Sequence, residues 1–137
     1  ERKIKFNKCY HKETLFQTKE YHLGPVTALA YSNDRPVITF GRTGVLFSGS
    51  SDRSIKVWDV WADKAVSETC LQTMVGHGAT VTSIIDSRLG FIISCSLDGS
   101  VRVWRPKIEQ NTAQLSRFVN FLCCQTINLS TSVPKIG

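Results

Sequence analysis

Two stretches of this 137-residue chain share one pattern: GVLFSGSSDRSIKVWD at residues 44–59 and GFIISCSLDGSVRVWR at residues 90–105. They align without a gap, with the second copy 46 positions after the first. The matches include polar residues in fixed places, so shared hydrophobicity alone does not explain them. Self-similarity at a fixed spacing of about 20–50 residues is typical of repeat architectures. The matched pairs are Gly44 with Gly90, Ser48 with Ser94, Ser50 with Ser96, Asp52 with Asp98, and Trp58 with Trp104.

Each copy is predicted to form a β-hairpin. Its first strand is rich in β-branched and aromatic residues, and its second strand alternates apolar side chains with Lys or Arg. Asp98-Gly99 is a strong signal for a tight turn, since Gly tolerates positive φ. The first copy has Arg53 in place of that Gly, which predicts a turn that is less favourable or differently shaped. The predicted strands are residues 45–48 and 55–58 in the first copy and residues 91–94 and 101–104 in the second.

One further strand is predicted upstream of each hairpin, and a His lies four positions before that strand. His22 precedes the strand at residues 26–31, and His77 precedes the strand at residues 81–86. The predicted unit therefore has four antiparallel strands, with a His between the fourth strand of one unit and the first strand of the next. The fourth strands are expected around Thr14–Thr18 and around Cys70–Val75.

These residues resemble the WD-repeat family of β-propellers, through Gly76-His77 and through the Ser, Asp and Trp of each copy. The resemblance implies an all-β fold, a partial propeller built of four-stranded antiparallel blades. It also implies a hydrogen-bonded tetrad in each blade. In this tetrad, imidazole and hydroxyl groups donate hydrogen bonds to the carboxylate, and the indole N–H donates to the Ser oxygen. The implied tetrads are His22, Ser48, Asp52 and Trp58 in one blade and His77, Ser94, Asp98 and Trp104 in the other.

The sequence departs from the family pattern in several places. Tyr21 stands where Gly is usual, Arg105 replaces the Asp after the second Trp, and Cys95 stands where the first copy has Gly49. The connection after the first strand is longer in the first unit, so we expect an inserted loop at Ser32–Thr43.

The chain is predicted to hold two blades and fragments of others. Closed propellers typically have about four to eight blades, so we expect the remaining blades to come from the same polypeptide. The fourth strand of the second blade is expected within Gln114–Leu122. The predicted units are residues 1–19 as outer strands of a preceding blade, 20–75 as one blade, 76–124 as a blade with an irregular outer strand, and 125–137 as a linker or the start of another blade.

The sequence favours a binding module over an enzyme. The Ser, His and Asp of each tetrad suggest a hydrolase, but no GxSxG motif is present and the set occurs twice with a Trp attached. Gly41–Gly44 lacks the Gly-Lys-Ser/Thr that follows in a phosphate-binding loop. The five Cys form no CxxC pair and fit no zinc spacing. We predict no catalytic residue, no cofactor and no metal site.

The charge balance bears on the partners. With 17 basic and 11 acidic residues the net charge is +6, which suits nucleic acid, anionic lipid or an acidic protein. Our first hypothesis is a scaffold that binds other proteins in a larger assembly. The alternative is a propeller region that binds RNA or another polyanion through basic faces.

The location and the partner-binding residues are also predicted. No apolar run is long enough to cross a bilayer. We expect a cytoplasmic location, and the sequence leaves cytoskeletal, ciliary and nuclear locations open. The resemblance implies that the connections before the first strand and after the second strand of each blade share one face, where WD-repeat proteins often bind peptides, and we expect the inserted loop on the opposite face. The candidates are Leu23, Pro25, Ser51, Arg53, Thr80 and Leu97 on one face and Arg35 and Arg42 on the other.

Overall fold

The computed structural model describes the chain at residues 5–7, 14–17, 21–33, 44–59, 70–107 and 120–129. All regular structure in these residues is β-strand, which confirms the predicted all-β class. The strands form one two-stranded hairpin and two four-stranded antiparallel sheets. Within each four-stranded sheet the strands lie side by side in chain order, as in the predicted blades. The chain therefore contains two consecutive blades of a partial propeller.

The strand bounds agree with the prediction to within two residues, except at the end of the chain. The hairpin is β1 (Lys5–Asn7) with β2 (Thr14–Gln17). The first blade comprises β3 (Val26–Ser32), β4 (Val45–Ser50), β5 (Ile55–Trp58) and β6 (Cys70–Met74). The second blade comprises β7 (Val81–Asp86), β8 (Ile92–Ser96), β9 (Ser100–Pro106) and β10 (Phe121–Asn128).

The hairpin near the start of the chain pairs two strands within the predicted outer-strand unit. β1 and β2 are antiparallel, with a register irregularity between Phe6 and Asn7. The assignment of residues 1–19 to a preceding blade stays a prediction.

The last strand differs from the expectation. We expected the fourth strand of the second blade within Gln114–Leu122, but β10 starts at Phe121 and runs to Asn128, so it crosses the predicted boundary at residue 124. An outermost strand pairs along one edge only, and most of β10 is exposed after the buried Phe121. Apolar content therefore could not locate it, because the strand buries little beyond its first residue.

The expected insertion at Ser32–Thr43 begins one residue late. Ser32 is the last residue of β3, pairs with Val45 and is buried. Its backbone continues the ladder although its side chain is polar, which is why composition placed it in the loop. Residues 34–43 lie outside the described part of the chain.

The two blades pack face to face through one buried cluster. Phe47 of the first blade belongs to this cluster together with Ile84, Ile92 and Phe121 of the second, and the partly buried Ala28 packs against it. The rings of Phe47 and Phe121 meet edge to face, with centroids 5.5 Å apart. Edge-to-face aromatic pairs add roughly 0.5–1.5 kcal/mol beyond the area they bury. The core therefore lies between the blades and is formed by both repeats.

A side-chain amide joins the outer strands of the two blades. Gln72 in β6 donates from Nε2 to the Phe121 carbonyl oxygen at 2.8 Å, and the Phe121 N–H donates to Gln72 Oε1 at 2.7 Å. The amide thus satisfies both backbone groups of the first residue of β10. On the inner side, Thr27 donates its hydroxyl hydrogen to the Val81 carbonyl.

Close approach of the blades explains why the first blade has Gly at position 49. A Cβ on Gly49 would lie 2.5 Å from Val81 Cγ1 and 3.1 Å from Ile84 Cδ1. Real Cβ atoms do not come this near to packed side chains, so Gly49 permits the contact. Cys95 holds the matching position in the second blade, where it is only half-buried.

We predict that Gly49→Ala lowers the free energy of unfolding by about 1–3 kcal/mol, because the added methyl group overpacks the interface with Val81. Cys95→Ala is the matched control, and we expect it to change stability by less than about 1 kcal/mol. Urea unfolding of the two variants and the parent chain measures both effects. Equal losses in the two variants would contradict this account of the interface.

Candidate functional site

A chain of hydrogen bonds runs through the first blade from a strand to the end of the sheet. The Trp58 indole N–H donates to Ser48 Oγ at 2.8 Å. Ser48 Oγ lies 2.7 Å from His22 Nε2, and His22 Nδ1 lies 2.9 Å from Asp52 Oδ2. These four residues form what we call the Trp–Ser–His–Asp network. The sequence assigned the same four side chains to one tetrad, and the structure brings them together.

The second blade repeats the network at the matching positions. Trp104 donates to Ser94 Oγ at 2.8 Å, and Ser94 Oγ lies 2.7 Å from His77 Nε2. His77 Nδ1 is 3.2 Å from Asp98 Oδ2. Each bond has a counterpart in the first blade, so the repeat in sequence is a repeat in hydrogen bonding.

The indole determines how the protons are arranged. An indole N–H can only donate, so the Ser oxygen accepts this bond and its own hydrogen is directed to His Nε2. Nε2 is therefore unprotonated, and the imidazole hydrogen lies on Nδ1, where it is donated to the Asp carboxylate. We infer this tautomer from the bonding pattern. Every donor then meets an acceptor along the chain from Trp to Asp.

A second Ser in each blade also donates hydrogen bonds to the Asp carboxylate. Ser54 donates to Asp52 Oδ1 from its hydroxyl at 2.7 Å and from its backbone N–H at 2.8 Å. Ser100 does the same to Asp98, at 2.6 and 2.8 Å. Sequence reasoning missed both residues. The signal was present, because Ser54 and Ser100 match at the repeat offset.

The His residues are buried and neutral. Desolvation lowers the pKa of His22 below its ordinary value, against the opposing effects of the hydrogen bond and the charge of Asp52; the Lys56 cation lowers it further. The pKa of His77 is lowered in the same way, with Arg102 as the neighbouring cation. The side chains of both His are almost fully shielded from solvent. Burial therefore keeps the imidazoles in the neutral form that the network requires.

The carboxylates remain ionised at the outer end of the network. Burial raises the pKa of Asp52, but the hydrogen bonds from Ser54, the Leu23 N–H and His22 outweigh it and bring the pKa to about 2. Burial is also the largest single effect on Asp98 and raises its pKa, but the hydrogen bonds from Ser100, the Gly78 N–H and His77 together outweigh it and hold the pKa well below its ordinary value. The Asp side chains are 11% and 18% exposed, so each anion keeps some contact with water.

The network has the connectivity of a Ser–His–Asp catalytic triad but not its accessibility. As in a triad, Ser faces Nε2 and Asp faces Nδ1. However, Ser48 and Ser94 are both 0% exposed, and each hydroxyl oxygen already accepts an indole N–H. No substrate carbonyl reaches such an oxygen without opening the blade. The arrangement therefore acts as a structural brace.

The carboxylates also hold two connections together at one end of each sheet. We call this surface the His-side end; it comprises residues 21–25, 51–54, 75–80 and 97–99. The Leu23 N–H donates to Asp52 Oδ2 at 2.8 Å, and the Ser51 N–H donates to the Pro25 carbonyl at 3.0 Å. In the second blade, the Leu97 N–H donates to the Thr80 carbonyl at 2.9 Å. The turn backbone is thus anchored to the buried network.

The structure places the candidate partner-binding residues as follows. Leu23 is 68% and Leu97 72% exposed, Pro25 and Arg53 are exposed, and Ser51 and Thr80 are half-buried. All six lie on the His-side end. Arg35 and Arg42 lie outside the described residues. The role of these residues in binding stays a prediction.

The turn in the first blade resolves one alternative left by the sequence. Arg53 has φ 75°, close to the φ 79° of Gly99 at the matching position. The two turns therefore have the same shape, and the Arg adopts a conformation that favours Gly.

Metal and membrane features can be stated for the described ranges alone. There, no group of three or more His, Cys, Asp or Glu could hold a metal ion. The same residues include no helix long and apolar enough to cross a membrane.

Comparison with known proteins agrees with this geometry. The family model described as "WD domain, G-beta repeat" matches residues 13–59 and 68–105, more than half of the chain. The chain belongs to this family. WD-repeat proteins generally mediate protein interactions, and their repeats are generally non-catalytic.

Individual relatives match over the same region. Nuclear distribution protein PAC1 of Arthroderma benhamiae is 33% identical over 96 residues, which is 68% of this chain and 20% of the relative. SIR4-interacting protein SIF2 of Saccharomyces cerevisiae is 30% identical over 91 residues, 66% of this chain and 14% of the relative. The chain thus spans a fifth or less of the length of these curated WD-repeat relatives.

A solved structure shows the same fold. The computationally designed Ika8 protein superposes with a TM-score of 0.54 and 27% sequence identity, covering 74% of this chain and 26% of that chain. The fold of this chain is therefore similar to that of a computationally designed protein.

We predict that Asp98→Ala lowers the free energy of unfolding by about 1–3 kcal/mol, because it leaves the His77 and Ser100 donors without their acceptor. Asp98→Asn should have an intermediate effect, since the amide oxygen replaces only one of the two carboxylate oxygens. Thermal and urea unfolding of the full chain measure both. A neutral Asp98→Ala would show that this WD-repeat network does not brace the blade.

We predict that the melting temperature falls as the pH is lowered from 7 to 5. The His pKa values lie below 6.5 in the folded state, so the unfolded chain takes up protons first and is favoured as the pH drops. A second fall is expected between pH 4 and 2, where the Asp residues, ordinarily near 3.8, are protonated first in the unfolded state. Calorimetry across this range measures both. A melting temperature that rises from pH 7 to 5 would mean that the Asp carboxylates favour charged His.

Proposed function

We propose that this chain is a non-catalytic WD-repeat scaffold region that holds partner proteins in a larger assembly. One observation carries the proposal: exposed apolar side chains stand on a backbone that the buried network holds rigid. Leu23 and Leu97 expose most of their surface, although the peptide groups beside them are fixed by hydrogen bonds. Rigid presentation of apolar groups lowers the entropy cost of binding. We place the partner on the His-side end.

The proteins similar to this chain support that proposal. The name of SIF2 describes an interaction with another protein. The name of PAC1 refers to nuclear distribution. We propose by analogy that this chain also works within an assembly, in the cytoplasm or the nucleus.

The charge on the His-side end favours a protein over a polyanion. Among the residues that define this end, Arg53 is the single Lys or Arg. Binding to a nucleic acid typically depends on several cations that each displace a counterion from a phosphate. One cation beside apolar side chains suits a peptide better than a phosphate backbone. We therefore propose a protein partner, and the experiment below includes RNA so that polyanion binding would be detected if it occurred.

The test selects ligands for the full chain from two pools, a library of displayed 12-residue peptides and a pool of random single-stranded RNA. We expect peptides that bind saturably, one per chain, with affinities that change less than about threefold between 50 and 200 mM salt. The affinities are measured by fluorescence anisotropy. Selection of RNA whose binding falls by several orders of magnitude over that range, with no selected peptide, would refute the scaffold proposal.

A further inference from the structure

The two blades differ on the His-side end at two positions where their backbones are the same. Leu23 follows the His of the first blade, and Gly78 follows the His of the second. Each donates its N–H to the neighbouring carboxylate at 2.8 Å. In the turn beyond the carboxylate, Arg53 of the first blade matches Gly99 of the second. The second blade forms the same frame with two glycines, so the fold does not require the Leu and Arg side chains.

Arg53 occupies a position whose backbone conformation is unfavourable for a residue other than glycine. Its φ of 75° lies in the left-handed region, where a Cβ is unfavourable and Gly is not. The matching Gly99 adopts φ 79°. Arg53 is exposed, and its backbone N–H donates to the Ser50 carbonyl at 3.2 Å. Within the described residues its guanidinium makes no hydrogen bond, ion pair or ring contact. Among the described residues, the Arg53 side chain therefore has no polar or ring contact that offsets the strained backbone.

Leu23 likewise contributes little to the core. It is 68% exposed, although its N–H is fixed to Asp52. Asp52 itself is turned inward, because its two oxygens accept bonds from His22, Leu23 and Ser54. The carboxylate is thus occupied by the protein, while the cation and the apolar side chain on either side of it face solvent.

We propose that Leu23 and Arg53 together bind a partner peptide that carries a carboxylate side chain next to an apolar one. Arg53 pairs with the partner's Asp or Glu, since a guanidinium matches a carboxylate in a two-pronged hydrogen-bonded pair. Leu23 packs against the neighbouring apolar side chain. Of the two described blades, the first carries this site, because the second has Gly at both positions. This inference rests on the proposed scaffold function and names the chemistry of its partner.

Strain and binding can be separated by experiment because glycine at position 53 has opposite effects on them. Arg53→Gly relieves the left-handed backbone and should raise the melting temperature, while it should weaken the selected 12-residue peptides about tenfold or more. Leu23→Gly should weaken the same peptides while the network stays intact. A residue with only a structural role would change stability and leave binding unaltered.

Arg88→Gly is the matched control. Arg88 is the other described non-glycine residue with positive φ, at 60°, and it is also exposed. It lies between β7 and β8, at the opposite end of the antiparallel sheet from the His-side end. We expect Arg88→Gly to raise the melting temperature as Arg53→Gly does and to leave peptide binding unchanged.

The experiment measures the sequences of the selected peptides, their dissociation constants by fluorescence anisotropy and the melting temperatures of the variants. Enrichment of Asp or Glu beside Leu, Ile or Phe, with loss of binding in Arg53→Gly and not in Arg88→Gly, supports the inference. Selected peptides that bind Arg53→Gly as well as the parent chain refute it and leave the scaffold function standing. If no peptide is selected at all, both proposals fail.

Discussion

The hydrogen bond from the indole of Trp58 to Ser48 is the interaction on which the rest of the blade depends. The indole has no acceptor capacity, so its bond orients the Ser hydroxyl, and the hydroxyl in turn selects the His22 tautomer. That tautomer carries its one N–H hydrogen on Nδ1 and donates it to Asp52, which also accepts the N–H groups of the two connections at the end of the sheet. A buried contact in the third strand thereby determines the geometry of an exposed surface. The second blade repeats the sequence of bonds from Trp104.

The two blades have the same strand order and the same hydrogen-bonded network, so comparing them shows which side chains the fold requires and which it does not. Ser48, Asp52, Ser54 and Trp58 each have a counterpart 46 positions later, because each hydrogen bond requires that side chain at that place. His22 has its counterpart in His77, which lies 55 positions later because the connection after β3 is longer than the one after β7. Residues that point away from the network are free to differ, as Leu23 and Gly78 do. Packing restricts one further position, because Val81 lies so close to Gly49 that a Cβ there would overlap with it. Comparison of the two copies thus distinguishes residues that packing and hydrogen bonding require from residues whose side chains are only exposed to solvent.

Much of this could be predicted from the sequence. The strands of both blades follow from alternating apolar residues, and the tetrads are what the resemblance to the WD-repeat family implies. Ser54 and Ser100 were as visible as the others, but the resemblance to the family directed attention to four positions per blade. β10 was misplaced for a physical reason, because an outermost strand satisfies its backbone along one edge and needs few apolar side chains. The shape of the turn at Arg53 was also beyond prediction, since an Arg at φ 75° goes against the residue's own preference and is supported by tertiary hydrogen bonds.

The network places its neutral imidazole in the interior and its charged carboxylate near the surface, which avoids the cost of burying a charge. A charged imidazole at the position of His22 would carry a large desolvation cost, and a carboxylate placed equally deep would carry another. The blade keeps the imidazole neutral in the interior and the anion at the rim, where water and four protein hydrogen bonds share its charge. Neither group changes protonation near neutral pH, because both pKa values are displaced away from it. The surface that the network supports is therefore held in one geometry under the conditions in which a partner would bind it.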